Sequence, residues 1–165
     1  MPESSPGRLN PVTAFIATGA YSGYSPLAPG TAGSLVCAAL AWFLLPQVTF
    51  GAGWLAVGAM AVSLAAFVAG SVWAADRAES VYGKDASRIV VDEFAGYLVA
   101  VAFLPKSAFV YVAAFLLFRA LDVLKPFPAR RLESVRGGAG IVLDDLVAGL
   151  YANVFIRIML LVQGF

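Results

Sequence analysis

Residues 36–75 read VCAALAWFLLPQVTFGAGWLAVGAMAVSLAAFVAGSVWAA, a run of 40 positions without a charged side chain. About 20 apolar residues are enough to cross the hydrocarbon core of a bilayer. Pro46 interrupts the run and predicts a turn between two apolar helices. This stretch decides the fold class, because such an apolar length is typical of a membrane protein and not of a water-soluble domain.

The composition of the whole chain agrees with this interpretation. The 165 residues are 61% hydrophobic and only 13% charged, whereas a soluble domain has about 25% charged residues. The net charge of +1 gives no sign of a polyanion partner, so we expect no binding to nucleic acid. The length fits one domain, and we predict a single integral-membrane domain over residues 1–165, with residues 1–10 disordered.

Apolar runs separated by Pro, Gly and charged segments predict an all-α fold. We expect a polytopic helical membrane protein with about four to five apolar helices, including short or re-entrant segments. The third and fourth helices are each about 18–23 Å long at 1.5 Å per residue, so they form either a re-entrant hairpin or two short spans. The predicted helices are Thr31–Leu45, Phe50–Ala75, Glu93–Leu104, Ser107–Leu121 and Asp144–Val162, with Pro11–Ser22 as a short interfacial helix.

Counting the crossings places three polar segments on one side of the membrane: residues 23–34, 76–92 and 122–145. This holds whether the hairpin crosses fully or only enters the bilayer. Short loops rich in Lys and Arg mark the cytoplasmic side, so we place this face in the cytoplasm. Lys106 alone lies in the opposite loops, whereas the shared face holds Arg77, Lys84, Arg88, Lys125, Arg130, Arg131 and Arg136.

Two acidic pairs, Asp92-Glu93 and Asp144-Asp145, each follow an apolar run and precede small residues, and each is predicted to begin a helix. Adjacent carboxylates repel one another, and burial at membrane depth is costly. A hard divalent cation such as Mg²⁺ or Ca²⁺ relieves the repulsion through oxygen ligands. The chain has no His, and its one cysteine, Cys37, lies in an apolar run, which argues against zinc and copper.

Helix capping is the alternative explanation, because carboxylates in a first turn complement the helix dipole. Two pairs on one membrane face favour the metal, and small residues after each pair allow close helix approach. The simplest site uses Glu93 and Asp145 as ligands, with Asp92 and Asp144 nearby. Spacing does not tell which member of each pair points inward.

Two further segments suit an anion. Arg119, Asp122 and Lys125 share a helical face at spacings of three, as either a surface ion pair or a phosphate clamp in which Asp122 binds metal or acts as a base. The Gly-Pro loop, residues 23–34, offers backbone N–H groups and the hydroxyls of Thr31 and Ser34 at a helix start, although its pattern taken alone favours a plain turn. Gly137–Gly140 is ambiguous between a flexible loop and an anion-binding nest.

Four segments in order resemble the phosphatidylglycerophosphatase A family, from about Thr18 to Ala152. They are SPLAPGTAGSL (25–35), DASRIVVDEFAG (85–96), FRALDVLKPFP (118–128) and GGAGIVLDDLVAG (137–149). The resemblance implies an Mg²⁺-dependent enzyme of the bacterial cytoplasmic membrane, a single catalytic domain that converts phosphatidylglycerol phosphate to phosphatidylglycerol. It implies these active-site residues: Asp92, Glu93, Asp122, Lys125, Asp144 and Asp145, joined by Thr31 and by Asp85 as a further metal ligand.

In the predicted mechanism, water attacks a phosphate whose oxygens are steadied by Lys125 with Arg119 or Arg88, and Asp122 serves as base. Thr31 and Ser34 complete the substrate cradle. A covalent aspartyl-phosphate route is the chemical alternative. From another class, a small ion transporter would use intramembrane carboxylates as a path, but it predicts charges along the membrane depth that residues 36–75 do not have.

Overall fold

The computed structural model describes residues 9–84 and 86–164. Within these ranges the chain is all-α, which confirms the predicted class. Residues 1–8, most of the segment predicted to be disordered, lie outside the described residues. The helices are α1 (Pro11–Ala17), α2 (Pro29–Leu44), α3 (Trp54–Tyr82), α4 (Val91–Val101), α5 (Ala108–Leu124), α6 (Ala129–Leu132) and α7 (Gly138–Val162), with a 3₁₀ turn at Ser22–Tyr24.

Two helices in the described part of the chain, α3 and α7, are long and apolar enough to cross a membrane. Most of the apolar part of α3 is exposed; Trp54 and Val62, for example, have 81% and 70% of their surface accessible. Such a continuous apolar surface is typical of contact with lipid or with another protein. A membrane protein is therefore supported. Of the four to five predicted apolar helices, α3 and α7 are long enough to span, whereas α2 has 16 residues and α4 only 11.

Two predicted helix boundaries are wrong in a way that matters for the site. The second apolar helix was expected to end at Ala75, but α3 continues to Tyr82 and ends at Gly83, whose φ is +94°. The last helix was expected to start at Asp144, but α7 starts at Gly138. Asp76 connects the extended part of α3 to the start of α7, because its Oδ1 accepts a hydrogen bond from the Gly138 backbone N at 3.2 Å.

The centre of the bundle is the crossing of α4 and α7. A Cβ atom at Gly149 would overlap the Gly96 carbonyl oxygen, and one at Gly96 would lie 2.7 Å from the Asp145 carbonyl oxygen. Ala95 and Ala148 beside them are fully buried. The prediction that these small residues allow close helix approach is confirmed. Cys37 is buried in the adjacent core, as expected of a small apolar filler.

The far end of α4 lies inside the bundle and is satisfied by α7. Asn153 Nδ2 donates to the carbonyl oxygens of Val99, Ala100 and Ala102 at 2.9–3.1 Å. Arg157 Nη2 donates to the Ala102 carbonyl at 3.0 Å. A short helix that ends among apolar residues needs such partners for its last carbonyls. The two side chains therefore allow α4 to stop within the bundle and still carry Asp92 and Glu93 at its other end.

Candidate active site

A polar cavity of about 770 Å³ opens where α2 begins and α5 ends. The three polar segments that the sequence places on one membrane face all contribute to its wall. Among the described residues, seven acidic and four basic ones line it: Glu79, Asp92, Glu93, Asp122, Glu133, Asp144, Asp145, Lys84, Arg119, Lys125 and Arg130. The cavity walls thus carry an excess of negative charge.

Glu93, in the first turn of α4, is held by two other helices. Its Oε2 accepts a hydrogen bond from Ser34 Oγ at 3.0 Å and another from Arg119 Nη1. A Cβ atom at Gly30 would overlap Glu93 Oε1. The start of α2 is therefore fitted around this carboxylate, which explains the need for glycine in the Gly-Pro loop.

Arg119 bridges two carboxylates on the cavity wall. Besides Glu93, its Nη1 lies 3.0 Å from Asp122 Oδ2, across one turn of α5. The Arg119 and Asp122 side chains are only 19% and 15% exposed. The predicted shared face of α5 is confirmed, and the pair lies in the cavity and not on an open surface.

Lys125 ends α5 and joins that helix to α7. Its Nζ lies 2.7 Å from Asp144 Oδ2 and 3.3 Å from Glu133 Oε1. Burial acts to lower the pKa of Lys125, but the hydrogen bonds and charges of Asp144 and Glu133 outweigh it and raise the pKa above its usual value. The ammonium group therefore stays protonated at neutral pH, as a phosphate-binding cation must.

Only one of the two carboxylate oxygens of Asp144 has a hydrogen-bond partner among the described residues. Its Oδ2 contacts Lys125, but its Oδ1 is buried and has no hydrogen-bond partner among the described residues. A buried carboxylate oxygen without a partner is costly and rare. Asp144 and Asp145 lie about two turns inside α7 and not in its first turn, so helix capping does not explain them, whereas Asp92 and Glu93 do lie in a first turn.

Asp92 and Asp145 also line the cavity, and together with Glu93, Asp122 and Asp144 they form an acidic cluster. Asp92 Oδ1 accepts a hydrogen bond from the Glu93 backbone N at 3.0 Å. Asp145 is 3% exposed and lines the same cavity. Across the described residues, no three His, Cys, Asp or Glu side chains already stand in metal-binding geometry. The donor set nevertheless fits a hard cation, because it supplies carboxylate oxygens alone and includes the unpartnered Asp144 Oδ1.

Two of the described residues that were predicted for the site, Thr31 and Arg88, are not brought into the cavity. Thr31 is half-buried on α2 and does not line it. Arg88 is exposed, with its guanidinium carbon 5.5 Å from the centre of the Tyr24 ring. Asp85 lies outside the described residues. Ser34, by contrast, reaches the cluster through Glu93.

The sequence interpretation missed Glu79 and Glu133 as cavity residues. Glu79 lies on α3 beyond the predicted end of that helix, at a spacing of three from Asp76, which is a detectable signal once the helix is extended. Glu133 follows the four-residue helix α6, which was expected to be a polar loop. Its contact with Lys125 depends on the fold and has no local signal.

The family model described as PgpA, phosphatidylglycerophosphatase A, matches residues 15–160. The chain belongs to this family. Membership confirms the resemblance seen in the four segments and favours an enzyme of the phosphatase class over a transporter. The matched range contains every cavity residue named above.

Three curated relatives are similar over most of their length. A putative phosphatidylinositol-3-phosphatase of Bacteroides thetaiotaomicron is 40% identical over 91% of this chain and 94% of its own. Phosphatidylglycerophosphatase A of Escherichia coli is 36% identical over 82% and 76%, and that of Haemophilus influenzae is 35% identical over 90% and 88%. No solved structure matches the chain significantly.

Proposed function

We propose that the protein hydrolyses the phosphate monoester of phosphatidylglycerol phosphate to give phosphatidylglycerol. It would thus be an enzyme of bacterial phospholipid synthesis. One observation carries the proposal: an acid-rich cavity with Arg119 and Lys125 on its wall, in a chain of the phosphatidylglycerophosphatase A family. A volume of about 770 Å³ is within the range for small-molecule sites and suits a phosphorylated glycerol head group.

The proposal includes Mg²⁺ as cofactor, because a phosphate dianion entering a cavity with seven acids and four bases needs additional positive charge. Asp92, Glu93, Asp122, Asp144 and Asp145 are the residues that would hold the metal. When bound, the ion would polarise a phosphate oxygen and lower the pKa of a water molecule.

The side chains of the cavity bind the phosphate group and orient it for attack by water. Lys125 is held at 2.7 Å from Asp144 and presents an ammonium group to a phosphate oxygen. Arg119 uses Nη1 for both of its carboxylate contacts, and the other donors of the guanidinium suit phosphate oxygens. Asp122 is the carboxylate that accepts the proton of the attacking water. Direct attack by water is proposed, with no covalent aspartyl-phosphate.

The substrate proposal is tested by phosphate release from purified protein in detergent. Phosphatidylglycerol phosphate, phosphatidylinositol 3-phosphate and phosphatidic acid are compared with Mg²⁺ and with EDTA. We expect the highest kcat/KM for phosphatidylglycerol phosphate and no release with EDTA. The second lipid is included because a relative 40% identical to this chain carries the corresponding name; a preference for it would overturn the substrate but not the phosphatase reaction. Ion uptake into vesicles without hydrolysis would favour the transporter.

We also propose that the protein lies in the bacterial cytoplasmic membrane with the cavity facing the cytoplasm. The excess of Lys and Arg on the cavity side supports this orientation. Ser134→Cys near the cavity and Gln47→Cys in the α2–α3 loop are both exposed positions, and the native Cys37 is buried. An impermeant maleimide should label only Ser134→Cys in inverted vesicles and only Gln47→Cys in right-side-out vesicles; the reverse pattern would overturn the orientation.

A further inference from the structure

A second cavity lies on the side of the bundle, between α2 and α5. It is a groove of about 260 Å³ open to the surroundings, and its walls are apolar and aromatic. The space exists because two small residues, Ala38 and Ala108, stand among larger ones. Its lining residues are Leu35, Ala38, Trp42, Tyr97, Ala108, Tyr111, Val112 and Phe115.

The groove begins next to the acidic cavity. Leu35 directly follows Ser34, whose hydroxyl donates to Glu93. Phe115 precedes Arg119 by four residues, which is one turn of α5. From Leu35 the groove follows α2 to Trp42, roughly 10 Å along the helix axis. It therefore leads from the polar site toward the opposite end of the bundle.

The chemistry of the walls restricts what the groove can hold. Of the two tyrosines that line it, Tyr97 already donates its hydroxyl to the Tyr111 carbonyl, at 3.1 Å. Trp42 and Tyr111 pack edge to face in its wall, with their ring centres 5.3 Å apart. A polar ligand would lose its hydration here without gaining partners, whereas each methylene of an alkyl chain placed in the groove leaves water or detergent for protein contact.

We propose that this groove binds one acyl chain of the phospholipid substrate while its phosphate lies in the acidic cavity. The inference rests on the proposed function and extends it from the head group to the chains. Its occupant is an alkyl chain covalently joined to that head group, because the groove starts within one turn of the Glu93–Arg119 pair. Chain binding would make long-chain substrates better than short-chain ones.

The test compares two neighbouring alanines of α2. Ala38 lines the groove, whereas Ala39 is exposed outside it, so Ala39→Phe is the matched control for Ala38→Phe. Phosphate release is measured with dipalmitoyl and dihexanoyl phosphatidylglycerol phosphate in the same detergent. For Ala38→Phe we expect kcat/KM to fall roughly tenfold or more with the dipalmitoyl lipid and by a clearly smaller factor with the dihexanoyl lipid, whose chains fill less of the groove. Ala39→Phe should leave both unchanged.

A second pair of variants approaches the groove from α5. Val112→Trp fills it from a position that is 57% exposed, and Leu116→Trp, at 61% exposure outside the groove, is the control. Both substitutions are on accessible surface, so the fold should persist. Val112→Trp should reproduce the chain-length effect of Ala38→Phe.

The outcomes separate the groove from the proposed function. An equal loss with both lipids, no loss with either groove variant, or wild-type kcat/KM equal for both lipids would overturn the acyl-chain groove. A change from dimer to monomer by light scattering in Ala38→Phe, without a chain-length effect, would assign the groove to a second copy and also overturn the proposal. Wild-type protein that releases phosphate from neither lipid would overturn the proposed function instead.

Discussion

Asp92 and Glu93 lie in the first turn of α4, whereas Asp144 and Asp145 lie about two turns inside α7. The two pairs have the same sequence pattern but different surroundings. Glu93 accepts hydrogen bonds from Ser34 and Arg119 on one oxygen, and its other oxygen packs closely against Gly30. Asp144 binds Lys125 through one oxygen and leaves the other buried without a partner among the described residues.

The difference suggests a division of work within the site. The α4 pair is built into the protein by contacts with α2 and α5, so it positions the cavity wall. The α7 pair retains a buried oxygen without a described partner, in a residue that lines the cavity, so it is the half prepared for a ligand. Substitutions that affect activity without stability, or stability without activity, separate these roles.

The largest effect on turnover is expected for Asp144→Asn. Removing this carboxylate takes away a proposed metal ligand and the anchor of Lys125, so kcat should fall about 10²–10³-fold. The melting temperature should stay near that of the wild type, because the lost attraction to Lys125, which keeps Glu133 as a partner, is offset by removal of a buried charge. Phosphate release and thermal unfolding in detergent measure the two quantities.

Glu133→Gln is the matched control for that variant. Glu133 also contacts Lys125, but its side chain is 47% exposed, so its loss should change kcat by less than about threefold. Equal losses in Asp144→Asn and Glu133→Gln would show that the carboxylates act only on Lys125 and would remove the special role of the α7 pair.

Glu93→Gln should lower stability as well as turnover. It leaves Arg119 partly buried with Asp122 as its remaining carboxylate partner, and breaking a buried ion pair costs about 3 kcal/mol. The free energy of unfolding in denaturant, measured in EDTA, should therefore fall in Glu93→Gln and not in Asp144→Asn. Equal stability of the two variants would contradict the proposed anchoring role of the α4 pair.

Gly149→Ala tests whether the α4–α7 crossing holds the two pairs together. The added methyl group would overlap the Gly96 carbonyl, so we expect a loss of about 1–3 kcal/mol. Gly70→Ala is the control, since a Cβ there has no neighbour within 4 Å. That substitution should stabilise α3 by up to about 1 kcal/mol; a Gly149→Ala protein as stable as the wild type would contradict the packing described.

Asn153→Ala should have the smallest effect and should affect stability alone. It removes the side-chain amide that donates to the carbonyls of Val99, Ala100 and Ala102 at the end of α4, at a cost of about 1–2 kcal/mol. Because these carbonyls lie at the end of α4 away from Glu93, kcat at a temperature well below unfolding should change little. A large fall in kcat at unchanged stability would show that the site reaches this end of α4.

Much of this arrangement follows from the sequence. Local patterns predicted the acidic pairs, the shared face of Arg119 and Asp122, and the small residues at the α4–α7 crossing. Local patterns did not predict that Asp76 would cap Gly138, because 62 positions separate the two residues. Residues 75–82 contain good helix formers despite their charges, so α3 passes Ala75, and the cap allows α7 to begin before Asp144.

The side-chain partners within the cavity were also beyond a sequence interpretation. Spacing could not show that Glu93 forms an ion pair with Arg119, or that Lys125 forms one with Asp144. These pairings depend on how α4, α5 and α7 cross. Arg88 shows the reverse error: a basic residue next to a motif was expected to bind substrate, but it lies against Tyr24 outside the cavity.

The most direct test of the central claim is the initial rate of phosphate release from phosphatidylglycerol phosphate by the purified wild-type protein and by Asp144→Asn, before and after chelation. We predict release by the wild type with Mg²⁺, none with EDTA, recovery when excess Mg²⁺ is added back, and almost none from Asp144→Asn in any condition. A wild-type rate that is the same with EDTA and with Mg²⁺, or an Asp144→Asn protein as active as the wild type, would contradict the account.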